Sequence, residues 1–255
     1  MKKRFTPFMV LFALMAIFFV QEVKAQNVQL HYDFNRSRPL NSDQAQNYGA
    51  PVFTSTFEYF KATEKGESFM FADVDYRNTK DGGAGLFYWE ISHKFYLNEN
   101  KLNLHVEYDD GFATFADGSG QFPIKRAALL GVGHPFVIGD LFLHATVMYK
   151  YHPRAYTKAD GQFTAVWFWP LFKGKVMFNG FLDLWSEDRN FVGDGEDIGK
   201  QAVFLAEPQI WYNVTDNFAV GGEVEVSMNF AEYNPAFNGM NKWMVNPTVA
   251  VKYTF

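Results

Sequence analysis

The sequence predicts an all-β fold: a transmembrane antiparallel up-and-down β-barrel of about 12 strands, in one domain behind a cleaved signal peptide. Apolar and polar residues alternate along most of the chain, which is typical of strands with one apolar face. The alternating segments mostly run for about 10 to 13 residues, longer than the ~5–6 usual in soluble sheets. Such lengths match tilted strands that cross a bilayer. Long and short connections also follow one another in strict alternation, as expected for a barrel in an outer membrane.

The first 25 residues predict the signal peptide. Lys2, Lys3 and Arg4 precede an apolar run over 8–20, and a small-residue cleavage site ends at Ala25. The apolar run has 13 residues, fewer than the roughly 20 that a membrane-spanning helix needs. The predicted domains are therefore residues 1–25, a signal peptide, and residues 26–255, an outer-membrane β-barrel.

Composition narrows the classes of partner and chemistry. The net charge of the full chain is −5, and the leader carries more basic than acidic residues, so the mature chain is more acidic still. An acidic chain is not expected to bind nucleic acid, which favours clustered Lys and Arg. The absence of cysteine excludes a disulfide framework and thiolate metal sites. No cofactor and no metal site are predicted. The aromatic content of 19% suits strands and membrane interfaces.

The alternation divides the mature chain into predicted strands. Two of them, 126–138 and 163–172, alternate poorly and can be placed with either face outward. The full set is 27–36, 51–61, 67–77, 86–97, 101–112, 126–138, 141–152, 163–172, 175–185, 202–213, 217–230 and 243–255.

The connections predict the orientation of the barrel. In an up-and-down barrel, odd and even connections lie at opposite ends, with short turns in the periplasm and longer loops outside. This pattern predicts the outer membrane of a Gram-negative bacterium as the location. The short connections are 62–66, 98–100, 139–140, 173–174 and 214–216, and the long ones are 36–50, 78–85, 113–125, 153–162, 186–201 and 231–242.

The last segment carries a more specific pattern. Trp243, Val249 and Phe255 fall on one apolar side of the strand, and Thr248 and Lys252 fall on the other. This terminus resembles the assembly signal of Gram-negative outer-membrane barrels, whose last strand typically ends in Phe or Trp. The resemblance implies recognition by the outer-membrane assembly machinery through the strand that ends at Phe255.

A secreted β-sandwich is the alternative, because its strands also alternate when each sheet buries one face. The length of the segments, the terminal Phe255 and the ordered connections favour the membrane barrel. We expect a monomer whose partners are the outer-membrane lipid bilayer and small polar solutes.

If the apolar positions contact lipid, the other face lines a lumen in which carboxylates outnumber amines. A negative lumen would favour cations and neutral solutes, and rings in phase with the acids could stack a planar solute. The alternative is structural, because small barrels fill their interiors with paired charges and packed rings. The candidate solute-binding residues are Phe71, Asp73, Asp75, Tyr88, Glu90, His105, Glu107, Asp109, Phe181, Asp183, Trp185, Glu207, Trp211, Glu223 and Glu225.

These features together resemble a known family. Twelve strands, an acidic lumen with aromatic residues and the terminal Phe255 are similar to the nucleoside-specific channel-forming (Tsx-like) porins. The chain looks closer still to an uncharacterised family of Bacteroidota outer-membrane proteins related to that group, since the Lys-rich leader and the mature start at Gln26 fit that source. The resemblance rests on pattern and implies passive uptake of nucleosides or similar small solutes.

An enzymatic role is not expected. Lipid hydrolases built on barrels use a Ser-His pair, but Ser92 and His93 are adjacent on one strand and point to opposite faces, so they cannot pair. Two alternatives to the channel stay open: a non-conducting structural or surface-binding barrel, and a lipid-modifying barrel enzyme.

Overall fold

The structure, a computed structural model, consists of β-strands joined by turns and loops. It describes residues 26–34, 51–77, 83–114, 120–124, 126–153, 155, 158–189, 199–230 and 243–255. The predicted signal peptide lies outside these residues. In chain order the strands are β1 (Gln26–Asp33), β2 (Pro51–Ala62), β3 (Gly66–Arg77), β4 (Ala84–Tyr96), β5 (Asn103–Thr114), β6 (Gln121–Pro123), β7 (Ala127–Ile138), β8 (Leu141–Tyr151), β9 (Ala159–Leu171), β10 (Val176–Asp188), β11 (Lys200–Ala206), β12 (Gln209–Asn213), β13 (Phe218–Met228) and β14 (Trp243–Thr254).

These segments form one closed antiparallel barrel of 12 strands. Strand β1 pairs with both β2 and β14, and β9 pairs with β10, so the sheet closes on itself. The short β6 adds to β5 outside this ring, and β11 and β12 are two parts of one barrel strand. The predicted fold class and strand number are confirmed, and the sandwich is excluded. Within the described residues, no helix is long and apolar enough to cross a membrane.

The break between β11 and β12 does not shift the pairing. Asn179 pairs with Gln209 and Leu182 with Ala206, in one continuous register. The ladder is interrupted because Pro208 has no N–H to donate. Its neighbour Glu207 still donates its backbone N–H to the Phe181 carbonyl at 3.0 Å. The sequence pattern therefore predicted this strand correctly as a single segment over 202–213.

Burial shows which face points inward in the two predicted strands that alternate poorly, 126–138 and 163–172. On β7, Ala127 and Leu129 point inward and are 1% and 4% exposed, whereas Leu130 and Val132 point outward and are 51% and 54% exposed. The pattern was ambiguous because the inner positions of β7 are apolar or glycine. On β9, Gln162 is buried inside and Phe163 is exposed outside.

The start of β9 was predicted too late, at residue 163 instead of Ala159. The residues that begin it, Ala-Asp-Gly-Gln, are polar or small and read as a loop. Pairing extends the strand nonetheless, because Asp160 lies opposite Lys150 of β8. Tertiary pairing therefore decides this boundary against local propensity.

The burial pattern is the reverse of that in a soluble protein. Large apolar side chains such as Leu30, Val147 and Val249 are exposed on the outer surface, while Gln29 and Thr146 on the opposite face are buried. A bilayer around the barrel covers the outer apolar face, and the polar face is left for the interior. The antiparallel pairing puts the strand ends that flank the short connections together at one end of the barrel, as predicted. Most residues of the predicted long connections lie outside the described part of the chain.

Candidate functional site: the acidic lumen

Alternation and register place all the candidate residues on the inner face. Glu90 of β4 pairs with Asp109 of β5, and Asp73 of β3 pairs with Tyr88 of β4. The exposure of the adjacent residue shows which way each candidate points. Ile91, which follows Glu90, is 47% exposed on the outer surface, so Glu90 points inward. The remaining candidates follow the same alternation on β3, β5, β10, β12 and β13 and in the β11–β12 connection.

The first acidic group lies on β4 and β5. Glu90, Glu107 and Asp109 each place a carboxylate oxygen within 4.8 Å of those of the other two. Two of the three acids are held by neighbours on their own strands. The Tyr88 hydroxyl donates to Glu90 Oε1 at 2.7 Å, and His105 Nε2 donates to Glu107 Oε2 at 2.9 Å.

The second acidic group lies at the other side of the barrel, on β13 and the β11–β12 connection. Gln209 Nε2 donates to Glu223 Oε2 at 2.6 Å, and Ser227 Oγ donates to Glu225 Oε1 at 3.0 Å. Glu207 is close enough to Glu223 to interact with it electrostatically, and it also interacts with acids of β3 and β4 across the lumen. Carboxylates from both walls therefore face one shared space.

Threonines on neighbouring strands satisfy several of the other acids. Thr56 Oγ1 donates to Asp73 Oδ1 at 2.6 Å, and Thr54 Oγ1 donates to Asp75 Oδ1 at 2.6 Å. Thr164 donates in the same way to Asp183. These cross-strand bonds fix the carboxylates by neutral hydroxyl donors, which add no positive charge to the lumen.

The inward lysines are engaged with rings or other side chains. Lys150 Nζ lies 4.7 Å from the centroid of the Trp185 ring and donates to Gln162. Lys252 Nζ lies 4.1 Å from the centroid of the Trp211 ring. Sequence reasoning placed both tryptophans in the lumen but did not predict that a lysine ammonium lies over each ring. Alternation alone put Lys252 on the inner face, yet the ring contacts of both lysines depend on strand register.

The candidate rings fall into two classes. Trp211 is fully buried and Trp185 is 9% exposed, so neither offers an open face to a solute, and we assign both a structural role. Trp185 packs with Val203 and Leu205. Phe71 and Tyr88 are partly exposed, and their ring centroids lie 5.9 Å apart. Phe181 is also partly exposed and packs against the Trp185 cluster.

A closed barrel with an apolar exterior and a charged interior defines the class: the chain is an outer-membrane β-barrel protein, embedded in the lipid bilayer of the outer membrane. Residues 25–255 match one family model, and the chain belongs to that family, the Domain of unknown function DUF5020. A search of characterised protein sequences found no significant match.

Solved structures are similar to this chain in fold. The NanC porin aligns with 9% identity and a TM-score of 0.50, covering 91% of this chain and 99% of that one. LpxR from Salmonella typhimurium aligns with 8% identity and a TM-score of 0.46, covering 90% and 99%. The Acinetobacter baumannii outer membrane protein Omp33 aligns with 11% identity and a TM-score of 0.40, covering 91% and 99%. At such identities the likeness to the NanC porin concerns the fold alone.

Proposed function

We propose that this barrel is a channel for passive diffusion of small solutes across the outer membrane. One observation carries the proposal: acids in the middle of the barrel are enclosed by the wall and yet retain accessible surface inside it. The side chain of Glu107, for example, retains 12% of its accessible surface. Accessible carboxylate surface inside a closed wall means that the interior has room for water, which diffusive transport requires.

The charge of this interior favours cations and neutral solutes over anions. Lys94 is paired with Glu67 at 2.6 Å, and Lys150 and Lys252 lie against tryptophan rings. The two acidic groups on opposite walls are held largely by neutral donors, so a negative potential remains between them.

Nucleosides are the solute class that fits these side chains best. The paired rings of Phe71 and Tyr88 lie next to Asp73 and Glu90, so a planar base could stack while its amines or sugar hydroxyls donate to a carboxylate. Base–aromatic stacking contributes about 1–3 kcal/mol per base in nucleic-acid binding. The relationship to Tsx-like porins, a Bacteroidota source, a monomeric state and docking to the assembly machinery belong to this proposal as well.

Single-channel recording in planar bilayers tests the channel. The proposal expects stepwise conductance, a cation-selective reversal potential in a salt gradient, and brief current blocks when nucleosides are added. Sugars and amino acids serve as comparison solutes. Purified, folded barrel that inserts without any conductance would reject it.

A non-conducting barrel is the second candidate, and a specific observation favours it. The inward side chains of Trp185, Val203 and Leu205 form a buried apolar cluster against Phe181 and Phe230, which narrows the interior. The same recording decides between the two, because a blocked interior gives an intact barrel and no current.

We also propose that the barrel is not an enzyme. The arrangement that argues otherwise is Ser68 Oγ, which lies 2.8 Å from His93 Nδ1 on neighbouring strands of the lipid-facing surface. A serine nucleophile needs its histidine oriented by a third polar group, and the ring of His93 instead contacts Phe95 at a centroid distance of 4.3 Å. Phospholipid hydrolysis by the wild type that is lost in Ser68→Ala would refute this proposal.

A further inference from the structure

The three acids on β4 and β5 form a compact group that the sequence alone did not reveal. Glu90 lies opposite Asp109 in the β4–β5 register, and Glu107 lies two residues before Asp109 on the same face. One carboxylate oxygen of each falls within 4.8 Å of the other two. Three ionised carboxylates this close together repel one another, and a bound cation or a proton relieves that repulsion.

Asp109 supplies the second observation. Its side chain is inside the barrel wall with the residue only 3% exposed, and its Oδ1 atom has no hydrogen-bond partner in the described part of the chain. A buried carboxylate oxygen without a donor is costly, and native structures nearly always supply a partner, a water or an ion. Because Asp109 reaches into a group of acids, the missing partner is expected to be positively charged.

The surroundings hold the other two acids in place. The Tyr88 hydroxyl binds one oxygen of Glu90, and the imidazole of His105 binds one oxygen of Glu107. Bonds of this kind orient metal-binding carboxylates in known sites. Lys150 is close enough to interact electrostatically with Asp109. Its ammonium is already bonded to Gln162 at 2.7 Å, and Asp183 adds a further negative charge beside the group.

We propose that Glu90, Glu107 and Asp109 bind one hard divalent cation, and that Ca²⁺ fits the site best. Carboxylate oxygens are the ligands that Ca²⁺ and Mg²⁺ prefer, and Ca²⁺ accepts them at about 2.3–2.6 Å in flexible geometries completed by water. Mg²⁺ needs a tighter octahedron at about 2.0–2.1 Å. Three carboxylates fixed on two neighbouring strands suit the more flexible coordination that Ca²⁺ accepts, so Ca²⁺ is the expected ion. Binding is independent of conduction, so the site stands whether or not the barrel is a channel.

Terbium luminescence on the full barrel, folded in detergent micelles, tests the site without any current measurement. Tb³⁺ substitutes for Ca²⁺ and emits when a nearby aromatic ring transfers energy to it. Tyr88 is bonded directly to Glu90 and supplies such a ring. The proposal expects saturable emission that Ca²⁺ displaces at lower concentration than Mg²⁺. Emission that never saturates, or that Ca²⁺ does not displace, overturns it.

Variants then locate the ion. Asp109→Asn and Glu107→Gln are each expected to weaken Ca²⁺ competition by about tenfold or more, the size seen when metal-site groups are removed. Glu58→Gln is the matched control: it removes an inward carboxylate that is bonded to Asn27 at 2.7 Å, outside the three-acid group. Wild-type affinity in both three-acid variants overturns the proposal, as does an equal loss in the control.

Folding is checked independently by the heat-dependent change in gel mobility of barrels. If one variant does not fold, the other still reports on the site. A Ca²⁺-dependent rise in the melting temperature of the wild type supplies a third measurement. A binding site in the native barrel requires that rise, and its absence at saturating Ca²⁺ contradicts the proposal.

Discussion

Inside the barrel, the ammonium nitrogen of Lys252 on β14 lies 4.1 Å from the centroid of the Trp211 ring on β12. Gly221 on the strand between them makes room for the ring, because a Cβ atom there would lie 2.8 Å from Trp211 Cε3. His31 meets the same ring edge-on at a centroid distance of 5.9 Å. The two ring contacts join residues of β1, β12 and β14. They lie at the seam, the place where β1 pairs with β14 and closes the barrel.

Lys252→Met tests that contact, because Met keeps an apolar stem and loses the charge. We expect the free energy of unfolding to fall by about 1–2 kcal/mol, the range for a cation–π contact shielded from bulk water. Urea unfolding in lipid vesicles, followed by tryptophan fluorescence, measures it. Lys65→Met in an exposed turn is the control and should change stability by less than about 0.5 kcal/mol. Equal effects would show that the ring contact contributes nothing specific.

The lipid-facing assignment predicts the result of introducing a charge at mid-strand. Val249 is 55% exposed near the middle of β14, and Val249→Arg should cost about 2–4 kcal/mol and impair assembly. Val224→Arg at the middle of β13 should behave alike. Ile138 is 66% exposed on the outer face of β7, next to a short turn, so Ile138→Arg at the interface should cost only about 0–1 kcal/mol. Comparable membrane yields for all three variants would contradict the facing.

The charge preference of the lumen predicts an electrical phenotype. Replacing Glu223 and Glu225 together with Gln removes two carboxylates of the second acidic group. In a salt gradient, the reversal potential should move toward zero because cation selectivity falls. Glu64→Gln, at an exposed turn, serves as the control. A reversal potential in the double variant that equals the wild-type value would exclude these acids from the ion path.

The stacking hypothesis predicts the loss of nucleoside block when a ring is removed. Tyr88→Ala deletes one of the paired rings, and stacking energies of about 1–3 kcal/mol correspond to roughly a 5- to 150-fold shorter residence time. The dwell time of nucleoside-induced blocks measures this. Phe163→Ala removes a ring that faces lipid and should leave the dwell time unchanged. A Tyr88→Ala channel with wild-type blocks would remove this ring from the solute path.

Gly180 predicts a backbone constraint at the strand break. An added Cβ would lie 2.3 Å from the Glu207 carbonyl oxygen, and the backbone angle φ is +153°. Gly180→Ala should therefore lower the free energy of unfolding by about 2 kcal/mol or more. Gly161→Ala is the matched control, because its Cβ would meet its nearest neighbour at 3.9 Å. The two variants are compared in one urea titration. Equal free energies of unfolding would show that the backbone of β10 at Gly180 has room for a side chain.

Local pattern was sufficient for the fold because the period of a strand is a property of neighbouring residues. Alternation alone placed Asp73, Glu90 and Glu223 inside and Val249 outside. The lengths of the connections predicted which end of the barrel carries the short turns. It failed where inner positions are apolar, as at Leu129, since an apolar residue on the inner face gives no contrast with the lipid face.

The candidate site was predicted only as a list of inward residues. The closeness of Glu90 to Asp109 depends on the register of β4 against β5, which no single strand encodes. The covering of Trp185 by Lys150 depends on the pairing of β8, β9 and β10 in the same way. Sequence reasoning thus found which side chains enter the interior but not which of them meet.

The hydrogen bond between His31 and Thr248 joins positions 217 residues apart. Until that seam forms, β1 and β14 each present an unpaired backbone edge, which hydrocarbon does not tolerate and which invites pairing with another chain. Closing so long a loop is slow for an unaided polypeptide. The geometry therefore favours a folding route in which an external template shields both open edges until the two ends of the sheet meet.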